Sequence, residues 1–460
     1  VLGISGTLAI VNLARRWFSA ALEFLVTRSK FVVTCLTALA PDRHLQDPPE
    51  QGERMKFGIF MAPFHRVGEN PTLCFERDLQ LIEWLDQLGY EEAFIGEHHS
   101  SGWEIISSPE IFMAVAATRT RHIMLGSGVV SIPYHHPFHV ANRFSLLDHL
   151  TRGRVMLGCG PGALAADAHM QGIDSTTQRK RMVEGVSAIL RLFNEQGKIS
   201  IDGSYFKLVD AHLQVKPFQQ PHMPVFVAST ISPSGMVAAG QLGCGVLSVA
   251  SYAPGGLDDL MKRWAMAEES AAENGKTVDR KNWRMVFPIH LAETREEAMN
   301  DIRDGANAWI RDYFIDTLGT RIQFEEYPNQ PIEEMNIDRM NGRGGIFVGT
   351  PDDAIARIKE LQQATGGFGG ILGLAHEWTT REKTLRSYEL FARYVAPQFQ
   401  GQVAEGVKYS NEWARENRDV MFGKAVAGIL TAVQDYAQHK SEKGEPVPEM
   451  MTQPITRVRQ

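Results

Sequence analysis

Phe94-Ile95-Gly96-Glu97-His98-His99 is the stretch on which the reading of this 460-residue chain turns. A brief apolar run stops there at a carboxylate and two imidazoles. Such a run reads as a buried strand with a site at its C-terminal end. Side chains alternate along a strand, so Glu97 and His99 share one side and His98 faces the other.

The same strand-then-helix pattern repeats on both sides of it. Upstream, Lys56–Met61 reads as a first strand. Residues 72–89 follow as a helix with Leu79, Ile82, Leu85 and Leu88 in one stripe, Thr72 as N-cap and Gly89 as the stop. Downstream, strands are expected at 122–132, 155–159, 224–228, 245–249, 283–292 and 368–374. Helices are expected at 109–118, 137–150, 178–193, 234–242, 257–274, 295–313 and 380–395, with another opened by Thr350-Pro351. Residues 198–215 interrupt the alternation as an inserted hairpin, and residues 317–343 as an irregular, charged insertion. Eight strands, each followed by a helix, define an α/β protein with a (β/α)₈ (TIM) barrel and insertions, spanning 55–400. Residues 401–460 form a tail with one amphipathic helix at 418–436.

Composition narrows the function classes. Hydrophobic content of 43% and charged content of 22% are ordinary for a globular protein. A net charge of −7 without a long basic block argues against nucleic acid as a partner. The cysteines Cys35, Cys74, Cys159 and Cys244 are scattered, which suggests neither a zinc site nor a disulfide framework and fits a reducing, cytoplasmic compartment. Residues 1–54 differ from the rest, and the fold is expected to begin at Met55. The segment before it reads as an extension that is not part of the native fold. A targeting segment is the second reading, because Ala38-Leu39-Ala40 fits a cleavage pattern. Its uncharged stretches are shorter than the roughly 20 residues of a membrane span, so no membrane association is expected.

In such a barrel the site lies at the C-terminal ends of the strands. Those ends carry Phe64-His65, Glu97-His98-His99, Gly126-Ser127-Gly128-Val129, Gly158-Cys159-Gly160, Thr230-Ile231-Ser232-Pro233-Ser234 and His376-Glu377-Trp378. They are rich in Gly, hydroxyls, aromatics and His, and poor in acids, which disfavours a hydrolytic metal site. His135, His136 and His139 have no accompanying carboxylate cluster, so no metal is expected. Hydroxyls in a turn that opens a helix, with Arg179 nearby, suit a phosphate. A phosphate with a flat apolar body fits these ends, and flavin mononucleotide is one of several such ligands. Gly158-Cys159-Gly160-Pro161-Gly162-Ala163 nominally fits a dinucleotide pattern, but it follows a fourth strand rather than a first.

The stretch from Lys56 to about Phe399 resembles the bacterial luciferase-like flavin monooxygenases. The resemblance rests on Glu97-His98-His99, on Pro133-x-x-His136-Pro137, on Leu147-Asp148 through Gly153-Arg154 to Gly158-x-Gly160-x-Gly162, and on Val348-Gly349-Thr350-Pro351. Within the family, Met61-Ala62-Pro63-Phe64-His65 and 172–179 make the chain most similar to limonene monooxygenase-type members.

The resemblance implies that His98 is the catalytic histidine beside a reduced flavin, FMN with FAD as the variant. It implies a non-proline cis peptide at Gly128-Val129 against the flavin ring, and a phosphate held by Arg179, Thr230, Ser232 and Ser234. Gly160 takes the place of the cysteine that luciferase proper carries near the reactive flavin carbon, so light emission from an aldehyde is not implied. Oxygen is expected to add to flavin carbon-4a and then to enter a terpene, alkene, ketone or aldehyde. Phe60, Phe64, Trp103, Tyr134 and Trp378 are the expected apolar walls that keep the pocket dry. A separate flavin reductase and a homodimer are implied as partners. Two other readings stand beside this one: a flavin- or deazaflavin-dependent reductase on the same barrel, and a non-catalytic flavin-binding subunit.

Overall fold

The computed structural model describes residues 54–448 except 63, 231, 250, 252, 255, 402 and 403, so the expected N-terminal extension, apart from Arg54, lies outside the described residues. Eight parallel strands close into a ring: β1 Lys56–Met61, β2 Glu92–Ile95, β3 Met124–Ser127, β4 Val155–Gly160, β5 Val225–Ser229, β6 Gly245–Ser248, β7 Trp283–Leu291 and β8 Gly370–Leu374. Neighbours in sequence are neighbours in the ring, and β8 pairs with β1 (Phe57 opposite Ile371) to close it. The expected (β/α)₈ barrel is thus the observed fold. Its first helices are α1 Pro71–Gln87, α2 Pro109–Arg119, α3 Pro137–Thr151, α4 Ala165–Met170, α5 Gln178–Asn194 and α6 Ser234–Leu242.

Several expected boundaries move for local reasons. Asn70, not Thr72, caps α1: its side-chain oxygen accepts from the backbone N–H of Thr72 at 2.9 Å, and Pro71 takes the first helical turn. Gly89 ends that segment with φ +82°, the left-handed region glycine favours. The third strand breaks at Gly128-Val129, whose peptide bond is cis, and resumes as Val130–Ser131 beside β4. The 198–215 segment is a two-stranded antiparallel hairpin, as expected. The helix from Arg295 is α-helical to Ala308 and continues as a π-helix, Trp309–Thr317. The insertion at 317–343 is less irregular than expected and holds a short helix, Ile337–Gly342. The tail helix runs Ala404–Glu442, 39 residues rather than the expected core of it.

The barrel interior is filled from β2. Ala93 and Ile95 pack outward among the helices, while Phe94 points inward with Phe60, Met156, Phe226 and Leu247. The Phe94 ring takes the space a side chain on β3 would need: a Cβ on Gly126 would lie 2.7 Å from its Cδ1. Below the ring, Glu92 meets Arg284 of β7 in a bidentate pair, Nε to Oε2 at 2.6 Å and Nη2 to Oε1 at 2.8 Å. Both side chains are at most 2% exposed, and Lys56 adds a contact at 3.1 Å. Burial works against the Glu92 carboxylate, but Arg284 and then Lys56 outweigh it and hold its pKa below the ordinary value.

Removing one partner of a buried pair strands a charge. Arg284→Met is expected to destabilise the protein by about 3–5 kcal/mol in urea denaturation. The paired change Glu92→Leu with Arg284→Met should recover most of that loss. An Arg284→Met protein as stable as wild type would show that the pair does not hold the barrel.

Candidate active site

The C-terminal ends of the strands surround a cavity of about 730 Å³. His98 lies three residues beyond β2, and its backbone N–H donates to the Ile106 carbonyl at 3.0 Å. Its Nδ1 is 3.1 Å from Asp167 Oδ2, an acceptor-only partner that takes the Nδ1 proton. Asp167 is itself fixed, its Oδ1 accepting from the His99 backbone N–H at 3.1 Å and the Ser100 hydroxyl at 2.5 Å. On the other side, His98 Nε2 is 3.3 Å from Glu104 Oε2. That is an ion-pair contact rather than an aligned hydrogen bond, because Glu104 Oε2 has no hydrogen-bond partner among the described residues. Glu104 Oε1 accepts from the Tyr313 hydroxyl at 2.5 Å.

Burial of the His98 imidazole favours its neutral form, but the Glu104 charge and the Asp167 hydrogen bond outweigh it and raise its pKa. With Nδ1 committed to Asp167, Nε2 is the nitrogen left to exchange a proton with a bound molecule.

Glu97 faces the opposite side, as strand alternation dictates. It accepts from His135 Nε2 at 2.7 Å, from His99 Nε2 at 2.9 Å and from the Ser131 backbone N–H at 2.7 Å. Burial opposes its charge, and these donors more than compensate, lowering its pKa. Its lone pairs brace the Ser131–His135 stretch against the loop after β2.

A second polar group lines the same cavity. Arg179 in the first turn of α5 donates from Nε to Ser234 Oγ at 3.0 Å, and Ser232 Oγ lies 2.8 Å from Ser234 Oγ. Ser234 opens α6, whose N-cap position is Pro233 and offers no side-chain cap. A guanidinium, hydroxyls and an uncapped helix N-terminus form a donor set that fits a phosphate. Thr230, Gly128 and Val129 line the same cavity, as do Phe60, Phe64 and Leu374.

The structure therefore brings together His98, Gly128, Val129, Arg179, Thr230, Ser232, Ser234 and Phe64 around one cavity. Four expected site residues are placed elsewhere. Gly160 stands behind the wall, where a Cβ would be 2.4 Å from Val129 Cγ2, so it seats Val129 and does not line the cavity. Tyr134 is a layer back, its hydroxyl accepting from Gln178 Nε2 at 3.1 Å, and burial pushes its pKa to about 12. Trp103 and Trp378 line a second cavity of about 480 Å³, which shares Phe64 with the first. Trp378 is stacked on His376 there, with ring centroids 4.4 Å apart.

Three residues that sequence reasoning passed over stand at the centre: Asp167, Glu104 and Tyr313. Asp167 is the single acid in the small-residue run 158–168, and that isolation is the signal that could have found it. Among the described residues no group of three or more His, Cys, Asp or Glu side chains is placed to hold a metal ion. No helix among them is long and apolar enough to cross a membrane.

A parallel (β/α)₈ barrel whose cavity carries an imidazole between carboxylates and an anion cradle suits a phosphate-bearing ligand held beside a proton donor. The comparisons make this specific. The family model for luciferase-like monooxygenases matches residues 55–367. The chain is 45% identical over 367 residues to 4-hydroxyprotoasukamycin monooxygenase of Streptomyces nodosus subsp. asukaensis, spanning 79% of this chain and 97% of that one. It is 42% identical over 390 residues to limonene 1,2-monooxygenase of Rhodococcus erythropolis, spanning 85% and 96%. The fold also matches the oxygenating constituent of 3,6-diketocamphane monooxygenase of Pseudomonas putida, solved with FMN, at a TM-score of 0.66 and 24% identity over 75% of this chain and 98% of that one. The chain belongs to the luciferase-like monooxygenase family and is a monooxygenase of it.

The raised His98 pKa gives a sign for its pH dependence. A histidine held above its ordinary 6.5 contributes stability that is full below that value and is lost as pH rises through the folded pKa. The His98 ring resonance in an NMR titration is expected to stay in its protonated position above pH 6.5. Asp167→Asn should bring the midpoint down. A wild-type midpoint below 6.5 would contradict the carboxylate control.

Proposed function

We propose that this chain is the oxygenating component of a flavin-dependent monooxygenase, placing one atom of O2 into a small, largely apolar organic molecule. The observation that carries the reading is the presence of two groups on one cavity: the Arg179–Ser232–Ser234 cradle and His98, flanked by Asp167 and Glu104. FMN is the cofactor this donor set suits, since one phosphate monoester matches one cradle. A solved relative by fold binds FMN and is named as an oxygenating constituent, which supports both the flavin and a separate reductase that delivers it reduced. We further take the working form to be a homodimer in the cytoplasm.

When bound, the reduced flavin supplies two electrons that, with two from the substrate, convert O2 into one inserted oxygen and one water. The chain's own residues do the rest. Arg179, Ser232, Ser234 and the start of α6 would hold the phosphate, and Gly128 and Val129 would offer the wall for the ring. Asp167 orients the His98 ring, and His98 Nε2 holds the proton that leaves with water. Phe60, Phe64, Phe314 and Leu374 exclude solvent, which lets a fixed proton donor act without competition from water.

Two experiments test this. Arg179→Met should weaken FMN binding about 10–100-fold, the scale of one charge-assisted bond, and leave riboflavin binding nearly unchanged. Equal loss for both flavins would remove the cradle from the account. Oxygen uptake with FMN, NADH and an independent flavin reductase, read with product analysis across terpenes, ketones and aldehydes, should show substrate-coupled consumption. His98→Ala should lower product about 100-fold or more while FMN affinity stays within a few-fold. Unchanged product yield in that variant would exclude His98 from the chemistry.

A further inference from the structure

We infer that Glu104 selects the substrate: the molecule oxygenated in this cavity carries a hydroxyl group on its apolar skeleton, and that hydroxyl donates a hydrogen bond to Glu104 Oε2. The inference deepens the monooxygenase reading and rests on it.

Glu104 is 7% exposed and lines the cavity. Its Oε1 is occupied by the Tyr313 hydroxyl, and its Oε2 has no hydrogen-bond partner among the described residues. The ion-pair contact with His98 balances its charge without filling that lone pair. The apolar lining of the same cavity includes Phe60, Phe64, Phe314, Leu318 and Ile322. Oε2 is itself buried with no donor, and a pure hydrocarbon filling this space would leave it so, which is among the costlier defects a binding site carries. A ligand with a hydroxyl removes the defect.

The neighbouring groups choose among ligand types. A carboxylate or phosphate on the substrate would meet Glu104 as a like charge. An ammonium would meet the His98 imidazole, which its carboxylate partners hold toward the cationic form. A neutral hydroxyl meets neither objection. Ser101 points to the same chemistry. It lines the cavity, its Oγ has no hydrogen-bond partner among the described residues, and its backbone is left-handed at φ +73°, a conformation an L-residue rarely adopts. A hydroxyl both donates and accepts, so it suits a carboxylate oxygen and a serine hydroxyl alike. Sites built to hydrogen-bond a substrate hydroxyl reject the analogue lacking it far more strongly than apolar pockets discriminate a methylene.

The test uses matched probes on the full chain: limonene, perillyl alcohol (the same skeleton with one hydroxyl) and perillylamine. Binding is read by quenching of tryptophan fluorescence, with no reductant present. Wild type is expected to bind the alcohol about tenfold or more tighter than the hydrocarbon, and tighter than the amine. Glu104→Leu should bring alcohol and hydrocarbon to within about twofold, while Glu104→Gln, which keeps an acceptor oxygen, should retain part of the preference. Equal binding of alcohol and hydrocarbon by wild type, no binding of the alcohol, or an unchanged preference in Glu104→Leu each overturn the inference. Oxygen uptake separates it from the reading beneath. Limonene oxygenated without any alcohol preference leaves a monooxygenase and removes the hydroxyl, whereas alcohol-selective binding without substrate-coupled oxygen uptake does the reverse.

Discussion

The alternation of β2 is the constraint on which the molecule depends. Its inward positions carry Glu92 at the base of the barrel, Phe94 in the middle and, past the strand end, His98 at the mouth. Its outward positions carry Ala93 and Ile95 among the helices, then Glu97 and His99. A slip of one residue would place the Glu92 charge among the helices and turn His98 away from the cavity. Arg284 pins the register from across the barrel, because a bidentate buried pair tolerates no shift. The glycines of β3 accept the consequence: Phe94 needs the space that a side chain at Gly126 would fill.

Four carboxylates near this strand are put to three different uses. Glu92 neutralises a buried guanidinium and serves the barrel. Glu97 is consumed by three donors and braces the loop after β3. Asp167 and Glu104 approach one imidazole from opposite sides, 3.1 Å and 3.3 Å away. Of these four, only Glu104 keeps an oxygen with no hydrogen-bond partner among the described residues. Burial is common to all, so burial does not distinguish the functional acid from the structural ones. What distinguishes it is the count of donors each acid receives against the lone pairs it has to offer.

That count explains what was legible in the sequence. The barrel was legible because hydrophobic period, caps and glycine stops are local, and eight repeats of a local pattern admit few architectures. His98 and the Ser232–Ser234 turn were legible because the C-terminal end of a barrel strand is a known address once the strands are counted. Asp167 and Glu104 were not, because what makes them matter is convergence on one ring from a short helix and a loop, 63 residues apart in sequence. Trp103 and Trp378 were placed on the wrong cavity because a strand end fixes height on the barrel, not the side of Phe64 on which a side chain falls. Gly160 was read as a contact to ligand when its missing side chain makes room for Val129.

The cavity also joins its two halves mechanically. The barrel supplies His98 and the phosphate cradle, but Tyr313, Phe314, Thr317, Leu318 and Ile322 come from the π-helix and the insertion that follows it. The Tyr313 hydroxyl is the donor that holds Glu104, and Glu104 is one of the two charges that set the state of His98. The π-helix and the histidine are therefore linked through one carboxylate, which accepts from Tyr313 on one oxygen and is paired with His98 Nε2 on the other.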